Sequence, residues 1–312
     1  MSKNVLVTGG AGYIGSILVP RLLGNGFRVT VIDNFMYRQP SLASSVSNSG
    51  LQIVFGDVRD QHLMKNLVRK ADIVIPLAAI VGAPACERDP VLSKSINRDA
   101  TLWLFDQIGK NQQVIMPTTN SAYGSGDNNS YCDENSPLKP ISLYAKDKVV
   151  IEEALMSLEN ATSFRLATVF GISPRMRLDL LVNNFVNRAL YDRYIVLFEG
   201  HFRRNYIHLS DAVTAFEMAI HSPGEFKGEI FNVGLSSANL SKIQLCLEIK
   251  DVLPEFTFVQ AELGQDPDKR DYIVSNSKIE SKGFSPKVSL RDGIEELVKG
   301  LPMFAVSTYS NL

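Results

Sequence analysis

The sequence predicts an α/β fold, a doubly wound parallel sheet with a smaller C-terminal lobe. Three observations predict it. Over roughly the first 170 residues, apolar runs of strand length alternate with segments whose apolar residues recur at helical spacing. A glycine cluster lies between the first run and the first helical segment. Beyond that region the alternation breaks down into short segments rich in Asn, Arg and Asp. Repeated β-α order calls for parallel strands, and parallel strands need helices on both faces. Right-handed crossovers then give the doubly wound arrangement.

The elements follow in order. Residues 4–7 (NVLV) read as a buried strand, and residues 14–23 carry apolar side chains on one helical face. Residues 28–32 (RVTVI) form a second strand, which ends in Asp33. The polar, Ser-rich stretch 40–50 reads as a loop with a short helix, and residues 51–55 as a third strand. Residues 72–79 are a fourth strand whose end, Leu77-Ala78-Ala79, is small enough for a ligand to lie across it. Ligands of open α/β sheets bind at the carboxyl ends of strands, so the loop 80–90 should overhang the site. Residues 92–108 are helical, with Asn97 either exposed or fixing that loop. Residues 113–119 and 162–166 supply the fifth and sixth strands. The expected division is 1–169, with parts of 205–235, for the sheet domain, and 170–204 with 236–300 for the smaller lobe.

Bulk properties narrow the function classes. The chain has 312 residues, a net charge of −1 and 45% hydrophobic residues, an ordinary soluble composition with no basic excess for nucleic acid. No apolar stretch reaches membrane-span length, and the first strand begins too early to leave room for a signal peptide. Three scattered cysteines, Cys86, Cys132 and Cys246, suggest reduced thiols in a cytoplasmic protein. The four histidines show no metal-ligand spacing, so no metal is expected.

Residues 8–16, TGGAGYIGS, join strand to helix. Glycine allows a tight turn and close approach of backbone to an anion, and a helix N-terminus offers free N–H groups and positive potential. Gly10, Gly12 and Gly15 give G-x-G-x-x-G; Gly9, Gly12 and Gly15 give G-x-x-G-x-x-G. Asp33 stands at the spacing of the acid that grips an adenosine ribose. A carboxylate there repels a 2′-phosphate and no Arg follows it directly, which favours NAD over NADP. This is a dinucleotide-binding (Rossmann) pattern. Tyr13, Ile14, Asn34 and Val58 complete the expected cofactor set with Leu77, Ala78, Ala79 and Asn97. Asp57, where the third strand meets the next helix, can cap that helix or bind the adenine amine.

Tyr144 and Lys148 are four residues apart and share a helix face. A tyrosine acting as base near neutral pH needs a depressed pKa, and a nearby ammonium and an oxidised nicotinamide both favour the phenolate.

The glycine loop, Asp33, Leu77-Ala78-Ala79, Thr119 before Ala122-Tyr123-Gly124, and the Tyr144/Lys148 pair together resemble the extended short-chain dehydrogenase/reductases. These are the NAD-dependent sugar-nucleotide epimerases and dehydratases. The resemblance extends to about residue 300. It implies that Thr119 bonds the sugar hydroxyl being oxidised, that Tyr144 takes its proton, and that Lys148 bonds the nicotinamide ribose. A backbone-satisfying role for the Thr119 hydroxyl is the competing reading. Residues 183–188 (NNFVNR) resemble a segment whose Asn, here Asn184, contacts substrate diphosphate, with Arg188 nearby. Residues 203–208 (RRNYIH) resemble the family's R-D-Y-I-H, so Arg204 should bind diphosphate. Arg270, in Asp268-Lys269-Arg270-Asp271-Tyr272, is similar to another nucleotide-side arginine.

Departures from the family pattern narrow the reaction. In 4,6-dehydratases an Asp and a Glu follow the triad Thr; here Asn120 and Ser121 stand there, and neither can serve as the acid or base for eliminating water. No Cys lies near Ser121, as in 3,5-epimerases, and Thr168 replaces a usual substrate-binding Asn. Reversible oxidation at one sugar carbon, most often C4, remains. The ketone is then either released or re-reduced on its other face, as in a 4-epimerase. Residues 118–124, 169–178 and 233–240 resemble a narrower branch, dehydrogenases acting at C4 of GDP-linked heptose in capsule pathways. In such an enzyme Arg175 and Arg177 lie over the substrate. NAD-binding regulators on this fold commonly lack the Tyr/Lys pair, which this chain keeps. The family's pairing through two helices per subunit, here 92–108 and 143–158, implies a homodimer.

Overall fold

The computed structural model describes residues 2–125, 130–261 and 270–304, so Asp268 and Lys269 lie outside the described residues. Its main sheet has seven strands. In chain order they are β1 (Asn4–Thr8), β2 (Arg28–Asp33), β3 (Leu51–Phe55) and β4 (Ile73–Pro76). They continue with β5 (Gln113–Thr119), β6 (Ala161–Leu166) and β7 (Glu229–Val233). Across the sheet they run β7-β6-β5-β4-β1-β2-β3, and every pairing is parallel. The expected α/β fold is the observed one.

The strands read as unbroken apolar runs because both faces are covered. On β1, Val5 and Val7 face one apolar cluster and Leu6 the other; on β4, Ile73 and Ile75 oppose Val74 in the same way. The first cluster takes in α1 (Gly15–Gly24) and the helix Leu209–His221. The second takes in Met64 and Val68 of α2 (Gln61–Val68) and Leu104. Val114 and Met116 of β5 pack on Ile151 and Leu155 of the helix Leu143–Leu155, which carries Tyr144. β3 is the outer strand, and there the pattern fails: Phe55 is 77% exposed.

Pairing of β4 with β5 covers only residues 73–74 against 113–114. Past Val114 the strands part, and the gap opens the crevice. Pro117 suits this place, because it brings no N–H to a side with no ladder partner.

The fourth strand is shorter than the expected 72–79: residues 77–79 line the crevice, with Leu77 N still bonded to the Thr8 carbonyl. The expected helix 92–108 is broken into Pro90–Lys94, a π-helical turn Ser95–Asp99, and Ala100–Asp106. After β6 the chain builds a three-stranded sheet of Thr168–Phe170, Arg203–His208 and Asn239–Ser241, with two small two-stranded sheets. It returns to the main sheet as β7.

Candidate active site

The carboxyl ends of the strands open into one cavity of about 320 Å³. Its walls include Gly9, Gly12, Tyr13, Ile14 and Gly15 from the first turn, Asp33 and Asn34 after β2, Asp57 and Val58 after β3, and Leu77 to Ala79 after β4. Thr119, Tyr144 and Lys148 line the same cavity.

The first turn is shaped for close approach. Gly9 has φ +64°, and a Cβ there would stand 2.6 Å from the Ala78 Cα. A Cβ on Gly15 would stand 2.4 Å from the Gly10 carbonyl oxygen. Both positions exclude any side chain. The turn thereby sets its backbone and the start of α1 against the cavity, where a pyrophosphate fits, while the Gly9, Ala11 and Gly12 N–H groups bond within the protein. Asp33 accepts N–H bonds from Ala11 at 3.0 Å and Phe35 at 2.8 Å, which fixes its carboxylate at the rim. Burial raises its carboxyl above the ordinary range, and those bonds and Arg175 oppose the rise. Asp57 is held low chiefly by its bonds with Arg59, 2.7 Å away. The cap of α2 is Asp60 instead, accepting from Leu63 N, so the capping role expected of Asp57 falls to its neighbour.

Asn97 is placed differently from a cofactor-lining residue. It is 2% exposed and its amide is spent on the main chain of Ile80, accepting from N at 2.7 Å and donating to O at 2.8 Å. The π turn rotates it inward, and it fixes the start of the overhanging loop.

Ser142 caps the catalytic helix, and Tyr144 follows in its first turn. Lys148 is buried; its Nζ donates to the Pro117 carbonyl at 3.0 Å and stands 5.9 Å from the Tyr144 ring centre. Burial pushes the ammonium down to about 8, against the charges of Cys86 and Glu152. Burial pushes the Tyr144 phenol up to about 12, with Cys86 adding to it and Arg177 and Arg270 opposing. The protein's own charges therefore do not depress this phenol as expected from sequence, because enclosure outweighs them. Thr119 Oγ1 accepts from Ser121 N at 3.1 Å and donates to Ser121 Oγ at 2.9 Å, so it serves the backbone and faces the cavity at once.

At the other end the expectations divide. Thr168, Arg175, Arg177 and Arg270 line the cavity. Arg175 sits 3.9 Å over the Tyr37 ring, beside the cofactor rim, rather than over the triad. Arg177 is ion-paired with Asp179. Arg270 donates to Ser121 Oγ, next to Thr119. Four residues lie off the wall. Asn120 is buried, with neither amide atom hydrogen-bonded among the described residues. Asn184 is half-buried on the helix Leu181–Tyr191. Arg188 pairs with Asp192 at the surface, one helical turn away. Arg204 is buried behind Tyr272, its guanidinium 5.6 Å from that ring.

Sequence reasoning missed the link between the two halves. Tyr13 Oη donates to the Gly171 carbonyl at 2.7 Å and accepts from Asn183 at 3.1 Å, while Ser16 and Ser173 hydroxyls meet at 2.7 Å. It also missed Tyr37, Ser142 and Tyr272 on the wall. Only Ser142 carried a signal, as a Ser just ahead of a helical run.

A family model described as the NAD dependent epimerase/dehydratase family matches residues 5–234. The chain belongs to that family. It is an NAD-dependent enzyme of nucleotide-sugar modification. It is 26% identical over 308 residues to a low-salt glycan biosynthesis protein of Haloferax volcanii, covering 95% of this chain and 97% of that one. It is 25% identical over 309 residues to a protein of Methanocaldococcus jannaschii named a putative UDP-glucose 4-epimerase, covering 94% and 97%. The crystal structure of a UDP-glucose 4-epimerase from Thermotoga maritima, with UDP-glucose, superposes with a TM-score of 0.82 at 26% identity, covering 96% of this chain and 99% of that one. Among the described residues no His, Cys, Asp or Glu side chains gather as metal ligands, and no helix is long and apolar enough to cross a membrane.

Proposed function

We propose that the chain oxidises the C4 hydroxyl of the sugar in a nucleoside-diphosphate sugar, with Tyr144 accepting the hydroxyl proton, Thr119 orienting that hydroxyl and Lys148 poising the phenol. One observation carries this reading: the glycine turn with Asp33 and the Thr119, Tyr144 and Lys148 set are two ends of one cavity. When bound, NAD supplies the hydride acceptor and the pyridinium charge that favours the phenolate. Ser121 and Asn120 offer no carboxylate for eliminating water, so the proposed reaction does not include dehydration. Arg177 and Arg270 are the cavity-wall cations suited to anionic oxygens of the substrate.

Re-reduction on the opposite face, giving a 4-epimer, is the outcome that the relatives support, since the names of those at Methanocaldococcus and Thermotoga carry it. A second reading has its own support. Residues 118–124, 169–178 and 233–240 resemble GDP-D-glycero-α-D-manno-heptose 4-dehydrogenases, enzymes that release the 4-ketone. NMR of the sugar after incubation with UDP-hexoses and with GDP-heptose separates the two. A C4-inverted sugar with no net change in cofactor establishes the epimerase and rejects the dehydrogenase. A ketone with stoichiometric NADH does the reverse, and no change at C4 in any sugar rejects both. A homodimer through residues 90–106 and the catalytic helix belongs to the same proposal, and light scattering after gel filtration tests it.

A further inference from the structure

The catalytic helix carries a third polar residue in line with Tyr144 and Lys148. Glu152 follows Lys148 by four residues, as Lys148 follows Tyr144, so the three form one row. Glu152 is 4% exposed, and a buried carboxylate must be paired. Its Oε1 accepts from Arg165 Nη2 at 2.6 Å and Nε at 3.0 Å. Its Oε2 accepts from Ser163 Oγ at 2.6 Å and Thr118 Oγ1 at 2.8 Å. Arg165 is equally buried and reaches on to the Tyr123 hydroxyl at 3.0 Å. Thr118 stands between Pro117, whose carbonyl receives Lys148, and Thr119. One carboxylate thus ties the helix bearing two triad members to the strand end bearing the third. Stability alone does not call for a buried ion pair, since apolar side chains of equal shape serve as well.

We propose that Glu152 is a positioning residue for the reaction: it locks residues 117–119 against the catalytic helix and faces the Lys148 ammonium with a fixed negative charge. This rests on the roles given to Tyr144 and Lys148 above. Several groups share that environment. Cys86 faces Lys148 and Tyr144 from the segment Ala83–Arg88, with Asp147 and Arg98 behind it. Arg177 and Arg270 face Tyr144 from the lobe, and Arg165 lies beyond Glu152. Burial pushes the Cys86 thiol up, so near neutral pH it is uncharged and Glu152 is the anion that remains beside Lys148. Removing that anion lowers the ammonium further below about 8, and the alkaline limb of activity then moves to lower pH.

The test is the pH profile of kcat for NAD-loaded wild type, Glu152→Gln, the double variant Glu152→Gln/Arg165→Met, Glu152→Asp and Thr118→Val. Glu152→Gln should shift the alkaline limb down by roughly one pH unit with KM unchanged, and the double variant, which also removes the Arg165 cation, should shift it the same way by less. Glu152→Asp keeps the charge and should restore the limb but not full kcat. Thr118→Val keeps the charge and loses one tie, so kcat should fall about tenfold with the limb in place. A uniform loss at every pH in the Gln variants, or an unmoved limb, overturns the proposal. The double variant removes the arginine that Gln would leave unpaired; should neither Gln variant fold, wild-type kcat in the Asp and Val variants overturns the proposal instead, and loss in both sustains it. If wild type turns over no nucleotide sugar, or Tyr144→Phe turns over normally, the functional reading fails. If wild type is active and Tyr144-dependent but the limb stays in place, this inference alone fails.

Discussion

The cofactor end and the substrate end of the cavity are built by different means. At the cofactor end, main chain does most of the work: Gly9 and Gly15 bring backbone where no Cβ fits, and Asp33 is fixed by N–H bonds from Ala11 of the glycine turn and Phe35 of its own loop. At the substrate end, side chains arrive from separate segments: Thr168 and Arg177 from one, Arg270 and Tyr272 from another. A backbone-built site is fixed by local sequence, whereas a side-chain site depends on how distant segments dock. The cofactor end should therefore tolerate almost no substitution in its turn, and the substrate end should be adjustable residue by residue.

The largest effect expected is at the junction of the two ends. Tyr144→Phe should lower kcat by about 10²- to 10⁴-fold while the protein still folds and keeps NAD, as judged by steady-state kinetics and cofactor absorbance. Normal turnover would mean that another group takes the proton. At the cofactor end, Gly9→Ala forces a side chain into left-handed backbone and against Ala78. A loss of roughly 1–3 kcal/mol and of bound NAD is expected, read as a lower Tm and a cofactor-free spectrum. An unaltered Tm would show that the turn can relax.

The substrate end gives smaller effects. Arg270→Ala removes a cavity-wall cation beside Ser121 and should cost about 10- to 100-fold in kcat/KM with NAD retained. Arg188→Ala removes only a surface ion pair and should change stability by less than about 0.5 kcal/mol. A large rise in KM for Arg188→Ala would put that helix back in the substrate site.

How much of this was legible follows the same division. Strands β1, β2 and β5 could be read nearly to the residue, because burial leaves largely apolar runs; β3 was legible from its apolar composition although it is largely exposed. The strand end after Pro76 could not be read, since residues 77–79 stay apolar while lining the cavity. The break at Ser95–Asp99 leaves no composition signal; it exists because Asn97 has Ile80 to bind, a partner distant in sequence. In the lobe, Asn183 rather than Asn184 is the committed side chain, bonded to Tyr13, Gly171 and Arg177. All three lie outside its helix, so helical spacing alone could not choose between the two. The motif around Arg204 was the stronger of the two, yet only docking sets Arg204 behind Tyr272 and Arg270 beside Ser121.

The central claim is that the sugar carbon bearing the hydroxyl held by Thr119 and Tyr144 passes its hydride to the nicotinamide across this one cavity. Mixing NAD-loaded enzyme with a nucleotide sugar deuterated at C4, quenching within the first turnover before re-reduction can return the label, and taking the mass spectrum of the reduced cofactor tests it most directly. Deuterium on the nicotinamide in wild type, and none in Tyr144→Phe, is the expected result. Transfer from a different carbon, or equal labelling in both proteins, would contradict it.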